Sequence, residues 1–316
     1  MTPLSWVIGS GGLLGSHVTQ ALPSWSHVWQ PPRPIRWKLN GGLDDLVECA
    51  ASFRAAVGDR PWSVLWCAGV GTQGATTAVL DAELTALAAV LDALGPTTSP
   101  GVFFFASSAG GVYAGSAMPP FDEETVTRPI SPYGEAKLRA EQLVRDWSHH
   151  TGASVVIGRI ANLYGPGQNL AKGQGVISQV CLQSLRHRPL VLYVPLDTLR
   201  DYVFAPDCAV LVRACVAEAL RQHKEQGATV TVKILASQQP VAIGTLLHNA
   251  RVIFKRSLGL ILGRSPQSAV QVRTLTFRSI IWPHLDQMAF TPLPIGMART
   301  AGAMLHDVQQ GNYSIQ

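Results

Sequence analysis

The stretch Leu4-Ser5-Trp6-Val7-Ile8-Gly9-Ser10-Gly11-Gly12-Leu13-Leu14-Gly15 runs from an apolar segment through a glycine-rich turn into a helical pattern that continues to about Leu22. An unbroken apolar run of this kind suits a strand buried on both faces. Glycines at 9, 12 and 15 let the backbone turn sharply, let a pyrophosphate approach the helix N-terminus, and let helix pack closely on strand. A glycine pattern alone is weak. Its place directly after a strand and before a helix is the context that a dinucleotide-binding turn requires, with a merely flexible turn as the plainer alternative.

Further along, strand-like runs near 26–30, 62–67, 102–106 and 154–160 alternate with helical patterns near 42–57, 76–94 and 133–150. That alternation predicts a doubly wound, parallel α/β sheet. Val102-Phe103-Phe104-Phe105-Ala106 ends in Ser107-Ser108-Ala109-Gly110-Gly111-Val112-Tyr113, a turn of small residues at the carboxyl end of a buried strand. Open α/β sheets bind ligands at that edge. Pro129-Ile130-Ser131-Pro132 holds the chain extended and then releases a helix with Tyr133 in its first turn. Lys137 follows four residues later on the same helical face, so its ammonium favours the ionised phenol and the pair makes a general base from a group whose free pKa is ~10. The spacing alone also suits an ordinary surface helix, and the flanking turns are what point to chemistry. Val155-Val156-Ile157-Gly158-Arg159-Ile160 then leads into Asn162-Leu163-Tyr164-Gly165-Pro166-Gly167, again a strand followed by a turn.

After Pro166 the pattern loosens into helices near 174–186, 242–257 and 297–309 and a strand near 228–235. The expected division is residues 1–165 as a dinucleotide-binding domain and 166–316 as a smaller C-terminal α/β substrate lobe, with segments near 200–235 returning to the sheet. With 316 residues, 47% hydrophobic and 14% charged, the chain can bury a large core and is not disordered. No apolar run approaches the ~20 residues of a spanning helix, and no basic leader precedes the first strand, so the expectation is a cytoplasmic protein without a membrane partner. Cysteines 49, 67, 181, 208 and 215 show neither paired nor ligand spacing and read as buried thiols of a reducing compartment. The histidines form no ligand pattern either, so no metal site is expected. His149-His150 suit the negative end of a helix dipole.

Charge is uneven. Residues 1–158 carry 9 Lys+Arg against 13 Asp+Glu, a net of −4, whereas residues 159–316 carry 16 against 7, a net of +9. A basic lobe facing a cleft suits a nucleotide diphosphate, with simple solvated charge as the alternative. No aromatic-interleaved basic stripe points to nucleic acid.

These motifs, in this order and with Arg200-Asp201-Tyr202-Val203 after them, resemble the extended short-chain dehydrogenase/reductase family, the NAD-dependent epimerase/dehydratase group of which UDP-glucose 4-epimerase is typical. The resemblance covers most of the chain. It implies a Rossmann sheet holding NAD or NADP, with Gly9, Gly12, Leu14, Gly15, Cys67, Ala68, Gly69, Tyr133 and Lys137 along the cofactor. It also implies a nucleotide-sugar substrate, contacted by Ser108, Asn162, Arg200 and Arg278. In that scheme Tyr133 takes a proton from a substrate hydroxyl as the carbon gives hydride to the nicotinamide, Lys137 holds the nicotinamide ribose, and a serine steadies the reacting oxygen. Arg200 would grip the diphosphate, for which a planar donor fork is suited. A homodimer through the helices near 76–94 and 133–150 is implied as well, while Asp201 and Asp207 read as holding local structure.

Departures from the family pattern limit what carries over. The usual catalytic Ser or Thr falls on Ala109, so the hydroxyl has to come from Ser108, with Ser107 as the weaker alternative. Gly110 and Gly111 stand where dehydratases carry Asp-Glu, which disfavours loss of water. Glu83 stands where many relatives carry asparagine. The second strand is followed by Pro31-Pro32-Arg33-Pro34-Ile35-Arg36, with no carboxylate before Asp44. An arginine there welcomes a 2′-phosphate, so Arg33 tips the expectation toward NADP, the alternative being NAD held by backbone groups. The favoured function is hydride movement at a sugar carbon, C4 by the resemblance, in an epimerase. The alternatives are a reductase of a 4-keto sugar and a non-catalytic dinucleotide-binding sensor or scaffold. Retention of both Tyr133 and Lys137 argues against the last.

Overall fold

A computed structural model describes residues 1–37, 41–69, 71, 74–170, 175–263 and 272–310. Its first half runs β1 (Leu4–Ile8), α1 (Leu13–Ala21), β2 (His27–Val28), α2 (Gly42–Val57), β3 (Trp62–Trp66), α3 (Thr77–Leu94), β4 (Gly101–Ser108), α4 (Ala109–Tyr113), α5 (Pro132–Thr151) and β5 (Ser154–Ile160). Then come β6 (Asn162–Tyr164), α6 (Val176–Arg186), β7 (Leu190–Leu192), β8 (Leu199–Arg200), β9 (Tyr202–Phe204), α7 (Ala205–Gln226) and β10 (Val230–Leu235). The chain closes with β11 (Val241–Ala242), α8 (Ile243–Phe254), β12 (Leu260–Leu262), β13 (Thr274–Leu275) and α9 (Leu293–Gln309).

Six strands make the central sheet in the order β10-β5-β4-β3-β1-β2, with every pair parallel. The order reverses between β1 and β3, as in a doubly wound fold. β1, β3 and β5 are buried along their whole length, because helices cover both faces of the sheet. One core lies under α1 and α7, with Val18, Phe104, Val156 and Val212. The other lies under α2, α3 and α5, with Phe53, Val64, Phe103 and Val144.

Local chemistry sets the element boundaries that matter for the site. Ser131 caps α5 by accepting from the Gly134 amide at 3.3 Å, with Pro132 in the first turn. Gly152, at φ 73°, ends that helix in the left-handed region. β2 is shorter than the expected strand near 26–30, since the prolines that follow cannot donate to a ladder.

The 22-residue α7 is a correction: the sequence reading assigned no helix between 186 and 228. Pro206 in its first turn and buried Cys208, Leu211, Val212, Cys215, Val216 and Ala219 at helical spacing are the signals that mark it. Outside the main sheet, β11, β8 and β13 form a three-stranded sheet, β12 pairs with β7, and β6 pairs with β9. A third core joins α6, α8 and α9 around Ile177, Val180, Leu246 and Met297.

Candidate active site

The glycine turn fits its expected role sterically. Gly9 has φ 89°, and a Cβ on it would lie 2.6 Å from the Ala68 amide nitrogen. At Gly15 a Cβ would lie 2.1 Å from the Gly9 carbonyl, so only glycine lets α1 start this close to β1. Gly12 donates its amide to the Gly9 carbonyl at 2.9 Å, which closes the turn. Leu14 packs its side chain into the core beneath. The Cys67 amide donates to Ile8 at 2.9 Å, which sets the ends of β1 and β3 side by side, and burial pushes the Cys67 thiol up to about 12. Gly69 lies in the same loop, with the Glu83 carboxylate 3.7 Å from where its Cβ would be.

Across the sheet edge, α5 presents Tyr133 and Lys137 together. The Lys137 ammonium is 5.8 Å from the Tyr133 ring centroid and 5.1 Å from that of Phe105, and it donates to the Ala106 carbonyl at 3.2 Å. Ser108 caps α4: its oxygen accepts from the Gly111 amide at 3.1 Å. A Cβ on Gly111 would lie 3.1 Å from the Tyr133 ring and 3.3 Å from the Ser108 hydroxyl, so both side chains converge on this glycine. Ala109 is fully buried and offers nothing to a ligand.

A cavity of about 670 Å³ opens in front of these groups. Ser108, Tyr133, Asn162 and Arg200 all line it. β6 and β9 bring the last two together: Asn162 donates its side-chain amide to the Asp201 carbonyl at 2.8 Å. Arg200 donates to the Leu199 and Val272 carbonyls at 2.8 and 2.7 Å, and among the described residues no carboxylate pairs with it. Burial lowers its pKa, so its positive charge is poorly solvated and available to an anion. Sequence reasoning missed Gln168, Tyr202 and Ile243 in the wall, which converge only through long-range pairing. Tyr133 also borders a second cavity of about 20 Å³, shared with Lys137, Phe105 and Glu83. Glu83 accepts from the Gly71 amide at 2.5 Å, which ties the β3–α3 loop to α3.

Three expectations are corrected. Ser107 cannot serve as the reacting hydroxyl: it is buried and donates to Glu141 at 2.6 Å, on the side of β4 away from the cavity. Glu141 also takes Arg159 at 2.7 and 3.1 Å, and Arg159 donates to Tyr113 at 2.6 Å. Arg278 is exposed and does not line the cavity, and its amide donates to Phe121. Arg33, assigned to a 2′-phosphate, pairs instead with Glu48 and lies 3.5 Å from Asp45. Arg36 is held by Asp45 at 2.8 Å through two nitrogens, and its hydrogen bonds pull the Asp45 carboxyl down to about 2. The carboxylates absent from the strand end arrive from α2, which removes the reason for leaning to NADP.

Known proteins share this fold. The dTDP-glucose 4,6-dehydratase of Salmonella typhimurium is 33% identical over 101 residues, 32% of this chain and 27% of that protein. The dTDP-L-rhamnose 4-epimerase of Burkholderia thailandensis is also 33% identical over 101 residues, 32% of this chain and 28% of the relative. The chain thus spans under a third of the length of these curated relatives. Among solved structures, the UDP-glucose 4-epimerase of Thermotoga maritima, with UDP-glucose, has a TM-score of 0.75 at 19% identity, covering 96% of this chain and 99% of that one. The Thermus thermophilus UDP-glucose 4-epimerase in complex with NAD has a TM-score of 0.73 at 17% identity, covering the same 96% and 99%. At such identities the likeness shows the fold. The family is shown by the sequence itself: residues 6–230 match the family model, and the chain belongs to the NAD dependent epimerase/dehydratase family.

Proposed function

We propose that this protein is an NAD-dependent nucleotide-sugar epimerase that acts at C4 of the sugar, with Tyr133 as acid and base. The observation that carries the reading is one cavity lined at once by Ser108, Tyr133, Asn162 and Arg200. The glycine cradle around Gly9, Gly12 and Gly15 has the shape that a dinucleotide pyrophosphate needs, and NAD held there would supply the hydride acceptor. Tyr133 takes the proton from the C4 hydroxyl and later returns it. Lys137, 5.8 Å from the Tyr133 ring centroid, favours the phenolate electrostatically and would hold the ribose of bound NAD. The Ser108 hydroxyl steadies the oxygen that alternates between alcohol and ketone. Arg200 meets the diphosphate, and Asn162 orients the sugar next to it.

NAD is favoured over NADP because Arg33 and Arg36 are already engaged by Asp45 and Glu48. Loss of water is disfavoured, since Gly110 and Gly111 line the cavity where an acid pair would be needed. α3 and α5 pack side by side, with an ion pair between Arg139 and Asp81 at 3.0 Å on their exposed side, and this face is our candidate for a homodimer contact.

Incubation of the NAD-loaded protein with a panel of UDP- and dTDP-hexoses, followed by proton NMR of the sugar, tests the reading. Interconversion of C4 epimers is expected for at least one of them. Tyr133→Phe should slow it by ~10²- to 10⁴-fold while NAD still binds. An unchanged rate in that variant, or tighter binding of NADPH than NADH in a fluorescence titration, would overturn the corresponding part of the assignment.

A further inference from the structure

The small sheet of β7 and β12 takes no part in the proposed chemistry, and its surface is unusual. β12 is Leu260-Ile261-Leu262, exposed by 41, 50 and 70% respectively. Beside it stand Val191 at 41% and Tyr193 at 46%, and Val252 on α8 is 63% exposed. Among the described residues β12 pairs only with β7, and none of them adds a strand on its other side. Neighbouring side chains on a strand point to opposite faces, so apolar atoms project on both sides of this edge. Soluble monomers seldom leave such a contiguous apolar patch uncovered.

Charge supplies the second observation. β7 and β12 run parallel, so both begin at the same end of the small sheet. There the α6–β7 and α8–β12 connections lie side by side, with the Leu190 amide donating to the Gly259 carbonyl at 2.8 Å. These connections and the end of α8 carry Arg188, Arg251, Lys255 and Arg256, all exposed and without a carboxylate partner among the described residues. Neither 176–196 nor 240–263 contains a single Asp or Glu, and the next carboxylate along the chain, Asp197, is paired with Arg273. Apolar side chains flanked by cations are the combination that binds an anionic lipid interface, where burial and headgroup attraction add.

We propose that the β7–β12 edge docks the protein on anionic membrane surfaces. Leu260, Ile261, Leu262 and Tyr193 enter the headgroup layer, and Arg188, Arg251, Lys255 and Arg256 meet lipid phosphates. Among the described residues no helix is long and apolar enough to cross a membrane, so this attachment is peripheral. It goes beyond the proposed epimerase reading and does not depend on it.

Co-sedimentation of the full chain with sucrose-loaded vesicles tests the idea without reference to turnover. Vesicles of an equal mixture of phosphatidylcholine and phosphatidylglycerol should pull the protein down, and phosphatidylcholine alone should not. Binding should weaken as salt rises to about 0.5 M. The triple charge reversal Arg251→Glu, Lys255→Glu, Arg256→Glu should lower partition by about 100-fold or more. Leu260→Ser with Leu262→Ser should remove the binding that survives high salt, and the single change Ile261→Ser is the milder version if the double variant fails to fold. Absence of binding to the anionic vesicles overturns the proposal, as does equal binding by wild type and variants. A serine variant that sediments as a smaller assembly than wild type also overturns it, because a second copy of the chain would then be what covers this edge.

Discussion

Ser108 and Ser107 are neighbours with opposite fates, because successive side chains of a strand leave it on opposite faces. Ser108 faces the cavity, whereas Ser107 joins Glu141 and Arg159 behind β4. Ser108→Ala is therefore expected to slow epimerisation by roughly 10-fold or more and, because Ser108 also caps α4, to cost about 1 kcal/mol of stability. Ser107→Ala is expected to leave the rate near wild type and to cost about 1 kcal/mol of stability, read as a shift in the denaturant midpoint. The reverse pattern would show that the wrong serine has been assigned. Asp201 offers a pH test. Burial raises its carboxyl to about 6, above the ordinary carboxylate value, so the folded protein favours the protonated form. Its stabilising contribution is thus complete below pH ~4 and lost as pH rises through 6, about 3 kcal/mol across that window. Asp201→Asn keeps the acceptor for Ser237 and does not titrate, so wild type should lose stability relative to it between pH 4 and 7 in parallel thermal melts. Parallel curves would show that the carboxyl does not titrate there.

Helix α5 carries the machinery at one end and its anchor in the middle. Tyr133 and Lys137 lie in its first two turns, and one turn later Glu141 is buried against Arg159 of β5. Loss of one partner of a buried ion pair strands the other, so Glu141→Ala should destabilise by about 3–5 kcal/mol in chemical denaturation. Removal of both charges with Glu141→Met and Arg159→Met should cost less than the single change. If it cost as much or more, the pair would be a net source of stability and not a mutual compensation. At this scale the sequence was uneven as a guide. α2 and β5 were legible to the residue, since apolar periodicity, flanking glycines and length all agree there. α7 was not legible although its spacing is regular, because Pro206 in its first turn reads as a helix breaker as readily as a helix start. The strands β8, β11 and β13 are two residues each, and their pairing depends on partners 41 to 75 positions apart, which no local pattern can show.

For the whole molecule, the charge asymmetry has two destinations. The basic half places Arg200 in the cavity and a cluster of cations at the β7–β12 edge, while the acidic half places Asp45 and Glu48 against Arg33 and Arg36. Net charge read along the chain could suggest an anionic ligand but not which arginines would be engaged elsewhere, because a carboxylate from α2 reaches the strand end only in three dimensions. The α3 and α5 face should bring two copies together in solution. Sedimentation velocity is expected to give a dimer that weakens when Asp81 and Arg139 are both replaced by bulky tryptophans, and a monomer in the wild type would remove that contact from the account.

The walls of the 670 Å³ cavity come from positions as far apart as Gly71 and Leu275. During synthesis the glycine turn leaves the ribosome first, and β13 follows only after some 260 further residues have emerged. A growing chain could therefore hold a dinucleotide long before it could hold a sugar. Competence for chemistry would arrive in one late step, when β8 gains β13 and the last wall closes.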